Sequence, residues 1–221
     1  MSDAMELMRA RHSVRQYLDQ PIPEEIRKQL DHYAEELNEA GHLHIQIIYD
    51  EPECFNSRMA HYGKFENCRN YIAVVGEKTA DLEERAGYYG ERLVLKAQEL
   101  GLNTCWVALT HGKSKAVIAD GETEVILISL GYGKTQGMRR KTKPAEAVSD
   151  LTEDSPEWYK RGMEAVLLAP TAINQQKFSF RRDGRNVTAR AGRFGPYVKT
   201  DLGIVKCHFE LGAGIENFEW K

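Results

Sequence analysis

No uninterrupted apolar stretch in this chain approaches the ~20 residues that a membrane-spanning helix needs. The first residues run straight into Asp3, Glu6 and Arg9 rather than an apolar leader core. The expectation is a cytoplasmic protein with no membrane partner. A strong charge of either sign is also missing: 30 Lys and Arg stand against 33 Asp and Glu, a formal net charge of −3. That balance argues against a nucleic-acid partner held by bulk charge. Cysteine is sparse. Cys54, Cys68, Cys105 and Cys207 show no Cys-x-x-Cys spacing, which excludes a zinc knuckle or a redox dithiol. Cys68, Cys105 and Cys207 sit among apolar residues and are expected to pack. His42 and His44 would share one face of a strand, but no carboxylate or thiol cluster accompanies them, so no metal is expected. The sequon Asn186-Val-Thr188 carries no meaning in a cytoplasmic chain.

Phosphate loops of the two common kinds are missing too. Gly131-Tyr-Gly133-Lys-Thr135 ends as a Walker A loop does, but the glycine required five positions before Gly133 is Ile128. Gly112-Lys-Ser114 fails in the same way, with Val107 at that place. A dinucleotide fingerprint would need Gly at position 136, which is Gln136, and then a helix rather than a basic loop.

What is present is one chain of 221 residues, long enough for a well-buried domain and without an obvious linker. The reading is a single domain over 1–221, in which 1–150 and 151–221 carry different halves of a site. A short helix is expected over Asp3 to Arg9. Pro21-Ile-Pro23 opens a second, with Ile26, Leu30, Tyr33 and Leu37 on one face and Gly41 at its end. Strands are expected at His42–Tyr49, Asn70–Gly76, Thr104–Leu109 and Glu124–Leu130, with a helix over Leu82–Leu100 that Gly101 stops. Gly131–Lys143 reads as a basic loop. Ser155 is a candidate N-cap before Pro156, in a helix burying Tyr159, Met163 and Val166. Lys177–Arg182 and Val187–Ala191 alternate as a hairpin across Asp183-Gly184. Asp201 is expected to cap a last helix, with Ile204, His208 and Leu211 on one side and His208 packed. Helices alternating with strands indicate an α+β fold, a mixed sheet sandwiched by helices. Pro23–Asp50 aligns without gaps on Pro156–Asp183, which suggests a duplicated helix–turn–strand unit.

Two short segments carry chemistry. Arg11-His12-Ser13-Val14-Arg15 places two guanidinium groups and a hydroxyl within five residues, a donor set that matches phosphate. Ala169-Pro170-Thr171-Ala172-Ile173-Asn174-Gln175-Gln176-Lys177-Phe178 is an apolar helix end running into an amide-rich turn, which suits the polar edge of a planar heterocycle. Together they resemble the FMN-dependent nitroreductase family, with its Arg-x-Ser-x-Arg/Lys phosphate clamp and Pro-Ser-Ala-x-Asn-x-Gln-Pro-Trp flavin turn. Here Thr171 replaces Ser, and Lys177-Phe178 replaces Pro-Trp. Leu130-Gly-Tyr-Gly133 resembles that family's Leu-Gly-Tyr-Pro, and Gly101-Leu-Asn103-Thr-Cys105-Trp106 its Gly-Leu-Gly-x-Cys-Trp. Asp201-Leu-Gly203-Ile-Val-Lys-Cys-His208-Phe209 is similar to the Asp-x-Gly-Ile-x-x-x-His-Phe signature of a thermophile-type subgroup.

The resemblance implies a nitroreductase-like fold and an FMN cofactor held by Arg11, His12, Ser13 and Arg15. Arg140 and Lys143 would add cations at the phosphate. Tyr62, Gly63, Leu109 and Thr110 would lie along the ring, and Pro170, Thr171, Ala172, Asn174 and Gln176 would meet its polar edge. It implies NADH or NADPH as reductant and nitroaromatics, quinones or similar small molecules as acceptors, in a ping-pong hydride cycle with no side chain named as catalytic. Two alternatives stand beside it: the same fold and cofactor with another reaction such as dehalogenation, or a degenerate flavin-binding protein without turnover, prompted by the lost Pro-Trp. Because the flavin turn follows the helix of the second helix–turn–strand unit rather than the first, the expected assembly is a monomer with a single-chain site or a homodimer exchanging its C-terminal arm.

Overall fold

A computed structural model describes residues 3–221. Their contacts fall into two compact units. The first holds Ala10–Leu82 and Arg92–Arg139; the second holds the described residues up to Arg9 together with Glu83–Glu91 and Arg140–Lys221.

In the first unit, helix α2 (Glu24–Gly41) buries Leu30, Ala34 and Leu37 and leaves its charged face outside. It ends at Gly41 as expected, but the left-handed cap is His42, at φ 47°, which returns its N–H to Asn38. Strand β1 (His44–Ile48) therefore starts later than expected, and His42 and His44 do not form a strand-face pair. Beyond it come α3 (Arg58–Tyr62), β2 (Asn70–Glu77), β3 (Asn103–Val107) and β4 (Glu122–Gly131). Nothing in the periodicity announced α3, since five residues are too few to display a face.

The four strands pair in the order β1-β2-β4-β3, antiparallel throughout. This corrects the expectation of a mixed sheet here. Parallel pairing enters only as single bridges, Ser13 to Thr104 and Gln16 to Glu66. Strand β2 is buried from Asn70 to Gly76, as its unbroken apolar run requires. Cys54, Cys68 and Cys105 sit in the core with Phe55, Phe65 and Tyr71.

The second unit is helical around a small sheet. Helix α5 (Glu157–Leu168) packs on α6 (Val198–Ala213), which packs on strands β5 (Phe178–Asp183) and β6 (Asn186–Ala191); the short β7 (Glu219–Trp220) pairs with β6. This sheet is mixed: β5 and β6 form the expected antiparallel hairpin, and β7 joins β6 in parallel. Phe209 is the hub of its core, with ring centroids 5.2 Å from Phe180, 5.0 Å from Phe218 and 5.8 Å from Tyr159. Two expected caps are corrected. Ser155 does not cap α5; its hydroxyl accepts from the Thr152 N–H, and the helix opens behind Pro156. Asp201 lies inside the first turn of α6 rather than at its N-cap, which is Tyr197.

Helix α1 (Ala4–Ala10) buries Met5 and Met8, and α4 (Leu82–Glu99) contributes residues to both units. No helix among the described residues is long and apolar enough to cross a membrane.

Candidate functional site

The Arg11–Tyr17 segment is neither helix nor strand, yet its Val14–Tyr17 half is tied down by backbone bonds within the first unit. Val14 N–H donates to Thr104 O at 3.0 Å, and Glu66 N–H donates to Arg15 O at 3.0 Å. Tyr17 N–H donates to Glu66 O and Lys134 N–H to Gln16 O, at 3.0 and 2.9 Å. The Tyr17 side chain locks the end of the segment. Its hydroxyl donates to Val14 O at 2.7 Å and lies 2.6 Å from Ser129 Oγ, and burial holds that phenol well above its ordinary range. Gly131 makes room for the ring, because a Cβ there would lie 2.9 Å from Tyr17 Cδ1.

On this fixed backbone Arg11 is buried, His12 is half-buried, and Ser13 and Arg15 are exposed. Among the described residues Arg15's guanidinium makes no ion pair; its recorded contact is over the Phe65 ring at 6.0 Å. The following loop closes on the segment at Gly137, which has φ +78° and where a Cβ would lie 2.6 Å from His12 Cβ. Two cations and a hydroxyl beside such a backbone can hold a dianion.

Tyr62-Gly63 and Leu109-Thr110, singled out separately in the sequence, meet in the structure. Gly63 faces the Thr110 side chain so closely that a Cβ would lie 2.6 Å from Thr110 Cβ. Around that contact Met59, Tyr62 and Leu109 are exposed. Three large apolar side chains left in water around one tight contact form a shelf suited to a flat apolar surface.

The 170–176 turn lies in the second unit, and its backbone is strained. Ile173, Asn174 and Gln176 all have positive φ, at 46°, 55° and 47°. For Ile173, β-branched and 88% exposed, the left-handed region costs on the order of 1–3 kcal/mol. The strain is held by a network. Thr171 Oγ1 accepts from the Gln176 N–H at 3.0 Å. Asn174 Nδ2 donates to Lys141 O at 2.9 Å, and Gln176 Nε2 donates to Lys141 O and to Asn174 Oδ1 at 3.1 Å each. Gln176 Oε1 accepts from the Lys143 N–H at 2.8 Å. The amides named in the sequence thus tie the turn to the basic loop.

The two cations expected at a phosphate sit in the same network. Lys143 Nζ donates to the carbonyls of Gln175 and Gln176, at 3.0 and 2.8 Å. Arg140 donates to Leu167 O and Ala169 O at the end of α5, a favourable place for a cation. Pro170 is buried beside them, and Thr171 and Ala172 are half-buried.

Sequence reasoning missed the residue that anchors this turn. Asp201 Oδ1 accepts from the Ala172 N–H at 2.9 Å, and Oδ2 accepts from Gln175 Nε2 at 2.7 Å. Its signal was the Asp-x-Gly-Ile signature, read as a helix cap. Each signature residue has a use in the second unit. Gly203 lets α6 approach Glu84, where a Cβ would lie 1.9 Å from the carbonyl oxygen. His208 is packed as expected, fully buried between Ala165 O and Glu91 Oε1 at 2.9 Å each, and Phe209 is the aromatic hub.

Burial pushes the Asp201 carboxyl up to about 6, against the two hydrogen bonds that favour its ionised form. In the unfolded chain it titrates near 3.8, so between the two values the folded state binds more protons. Its contribution to stability is therefore fully present below pH ~4 and falls as pH rises to about 6, by roughly 3 kcal/mol at 1.36 kcal/mol per unit. Between pH 4 and 6.5 the unfolding free energy of the wild type, measured in urea, is expected to fall by about 2 kcal/mol more than that of Asp201→Asn. An equal fall in both would place the titration elsewhere.

Among the described residues no group of three or more His, Cys, Asp or Glu side chains is placed to hold a metal, and all four cysteines are buried and outside any disulfide.

An antiparallel core sheet with a stitched Arg-x-Ser-x-Arg segment, together with a helical unit bearing the strained turn, defines the nitroreductase class of fold. The solved structures agree. A putative nitroreductase from Thermotoga maritima superposes with a TM-score of 0.69 at 24% identity, over 95% of this chain and 83% of that one. A putative nitroreductase from Desulfovibrio desulfuricans, solved in complex with FMN, gives 0.52 at 19%, over 71% and 99%. NfrA2 of B. megaterium gives 0.52 at 12%, over 75% and 82%. Residues 3–213 match the family described as "Putative TM nitroreductase", and the chain belongs to that family. No curated protein matches the chain in sequence.

Proposed function

We propose that the protein is an FMN-dependent oxidoreductase that takes reducing equivalents from NADH or NADPH and passes them to a nitroaromatic, a quinone or a similar electron-poor molecule. The observation that carries this reading is the Arg11–Arg15 segment: a buried guanidinium, an exposed one and an exposed hydroxyl on a backbone pinned by Thr104 and Glu66. Its donors fit an organic phosphate, and the Desulfovibrio relative of the same fold was solved with FMN.

Arg11, Ser13 and Arg15, with His12 beside them, would hold the phosphate. The Tyr62-Gly63 and Leu109-Thr110 shelf would lie along the ring, and the turn at Pro170, Thr171, Ala172, Asn174 and Gln176 would meet its polar edge. Arg140 and Lys143, whose loop is tied to that turn, would add cations at the phosphate. When bound, FMN supplies two-electron hydride chemistry in a ping-pong cycle between the pyridine nucleotide and the acceptor. The chain's own work is to bind and orient. The Asp201 and Lys141 contacts fix the turn in advance, and the pinned clamp presents its donors without reorganisation.

Protein reconstituted with FMN is expected to hold one flavin per chain and to oxidise NADH or NADPH faster when menadione is added. Failure to bind flavin overturns the reading, and binding without turnover reduces the protein to a flavin carrier. Asn174→Leu removes the amide that links Lys141 and Gln176, so it should slow turnover more than it weakens flavin affinity. The duplicated helix–turn–strand unit and the monomer with a single-chain site remain part of the proposal. Recovery of wild-type sites after co-refolding an Arg11/Arg15 double-alanine variant with Asn174→Leu would favour the homodimer with an exchanged arm instead.

A further inference from the structure

The β5–β6 hairpin of the second unit has one face that the proposed reaction does not use. Its register places Ser179 opposite Arg190, Arg181 opposite Thr188 and Asp183 opposite Asn186. Directly opposed residues share a face, so these six line one side of the hairpin, while Phe178, Phe180 and Val187 are buried on the other. Arg181 and Arg190 stand diagonally across the strands, a spacing of roughly 7–8 Å at which like charges repel. Among the described residues neither of them, nor Lys221, forms an ion pair or a side-chain hydrogen bond, and Asp183 does not either. Four cations, Arg181, Arg182, Arg190 and Lys221, and two carboxylates, Asp150 and Asp183, line a groove of about 510 Å³ together with Asn186 and Thr188. Asp150 is already occupied, accepting from Tyr159 OH and the Arg182 N–H.

We propose that this groove is a second anion site, taking the phosphate monoester of a small hydroxylated molecule such as a sugar phosphate or a nucleoside monophosphate. Four cations against two carboxylates leave the groove net positive toward a dianion, and the exposed Arg181 and Arg190 forks match its oxygens. Thr188 and Asn186 add neutral donors, and the Asp183 carboxylate accepts from sugar hydroxyls. The volume suits a ligand of that size rather than a bare ion. Repulsion between the two arginines has no structural return without an anion, since both side chains project into water.

The test is calorimetric titration of protein saturated with FMN, so that the Arg11–Arg15 clamp is blocked. The probes are ribose 5-phosphate, adenosine 5′-monophosphate and adenosine. Both phosphates are expected to bind and adenosine not to. Arg181→Gln with Arg190→Gln should weaken phosphate binding at least tenfold while FMN content and menadione-dependent turnover stay unchanged. Binding of adenosine monophosphate alone assigns the site to nucleotides, and equal binding of ribose 5-phosphate assigns it to sugar phosphates. No binding of either phosphate at millimolar concentration overturns the proposal, as does binding that the double variant leaves intact. A charge-keeping Arg181→Lys, Arg190→Lys variant that retains affinity separates lost charge from a distorted hairpin.

Discussion

Replacing Arg11 and Arg15 together by alanine is expected to give colourless protein. Each guanidinium would contribute a charge-assisted hydrogen bond to the flavin phosphate worth about 1.5–3 kcal/mol. Losing both should weaken FMN by roughly 10²–10⁴-fold at 1.4 kcal/mol per decade. The two residues differ in what else they do. Arg15 is exposed, so Arg15→Ala should fold as the wild type does and lose about half of that binding energy. Arg11 is only 3% exposed, and its removal also empties space at the base of the segment. The far-ultraviolet spectrum of the double variant should nonetheless match the wild type, because the segment is held by backbone bonds to Thr104 and Glu66 and by the Tyr17 hydroxyl. Equilibrium dialysis with FMN measures the loss. Full flavin occupancy in the double variant would remove the clamp from the proposed function.

Why the clamp was readable while its supports were not follows from what a sequence displays. Arg11, Ser13 and Arg15 are contiguous and chemically distinctive, so a local pattern suffices. Long amphipathic helices were equally visible: α2 and α4 fall within a residue or two of their expected ends, because 18 residues repeat a face five times over. The pairing of β4 between β2 and β3 was not visible, since register is settled by long-range contacts that leave no local mark. The two misread caps share one cause. Ser155 and Asp201 are good cap residues by type, but other donors claim them first, the Thr152 N–H of the preceding turn in one case and Ala172 with Gln175 across the unit in the other. The turn at Asn174 and Gln176 is legible by its amides, but their bonds to Lys141 and Lys143 are not, since those partners lie more than thirty residues away. The left-handed backbone of Ile173 had no signal at all, because a β-branched residue is the last that sequence would put there.

Two departures from the family's motifs, an asparagine for glycine at Asn103 and a glycine for proline at Gly133, turn out to be one feature. Asn103 is buried, its Oδ1 accepts from the Gly133 N–H at 2.9 Å, and its Nδ2 donates to Gln136 Oε1 at 3.0 Å. Proline at 133 would have no N–H to give, so restoring it should leave Asn103 Oδ1 buried and unsatisfied, at about 1–3 kcal/mol. Sterics add to this. A Cβ at Gly133 would lie 2.5 Å from Thr135 O and 2.8 Å from both Asn103 Oδ1 and Val14 Cγ1, an overpacking worth roughly another 1–3 kcal/mol. Gly133→Pro alone is therefore expected to lower the unfolding free energy by about 2–6 kcal/mol and to loosen the loop that closes on His12 at Gly137. Combining it with Asn103→Gly removes both the stranded acceptor and one of the clashing atoms. The double variant should then be more stable than the sum of the single changes predicts, with a coupling of at least about 1 kcal/mol in a denaturant-unfolding cycle. Gly133→Ala, which keeps the N–H, separates the steric part from the hydrogen bond. Strict additivity of Asn103→Gly and Gly133→Pro would mean that the two departures arose independently and that the loop is held by Tyr17 and Val14 alone.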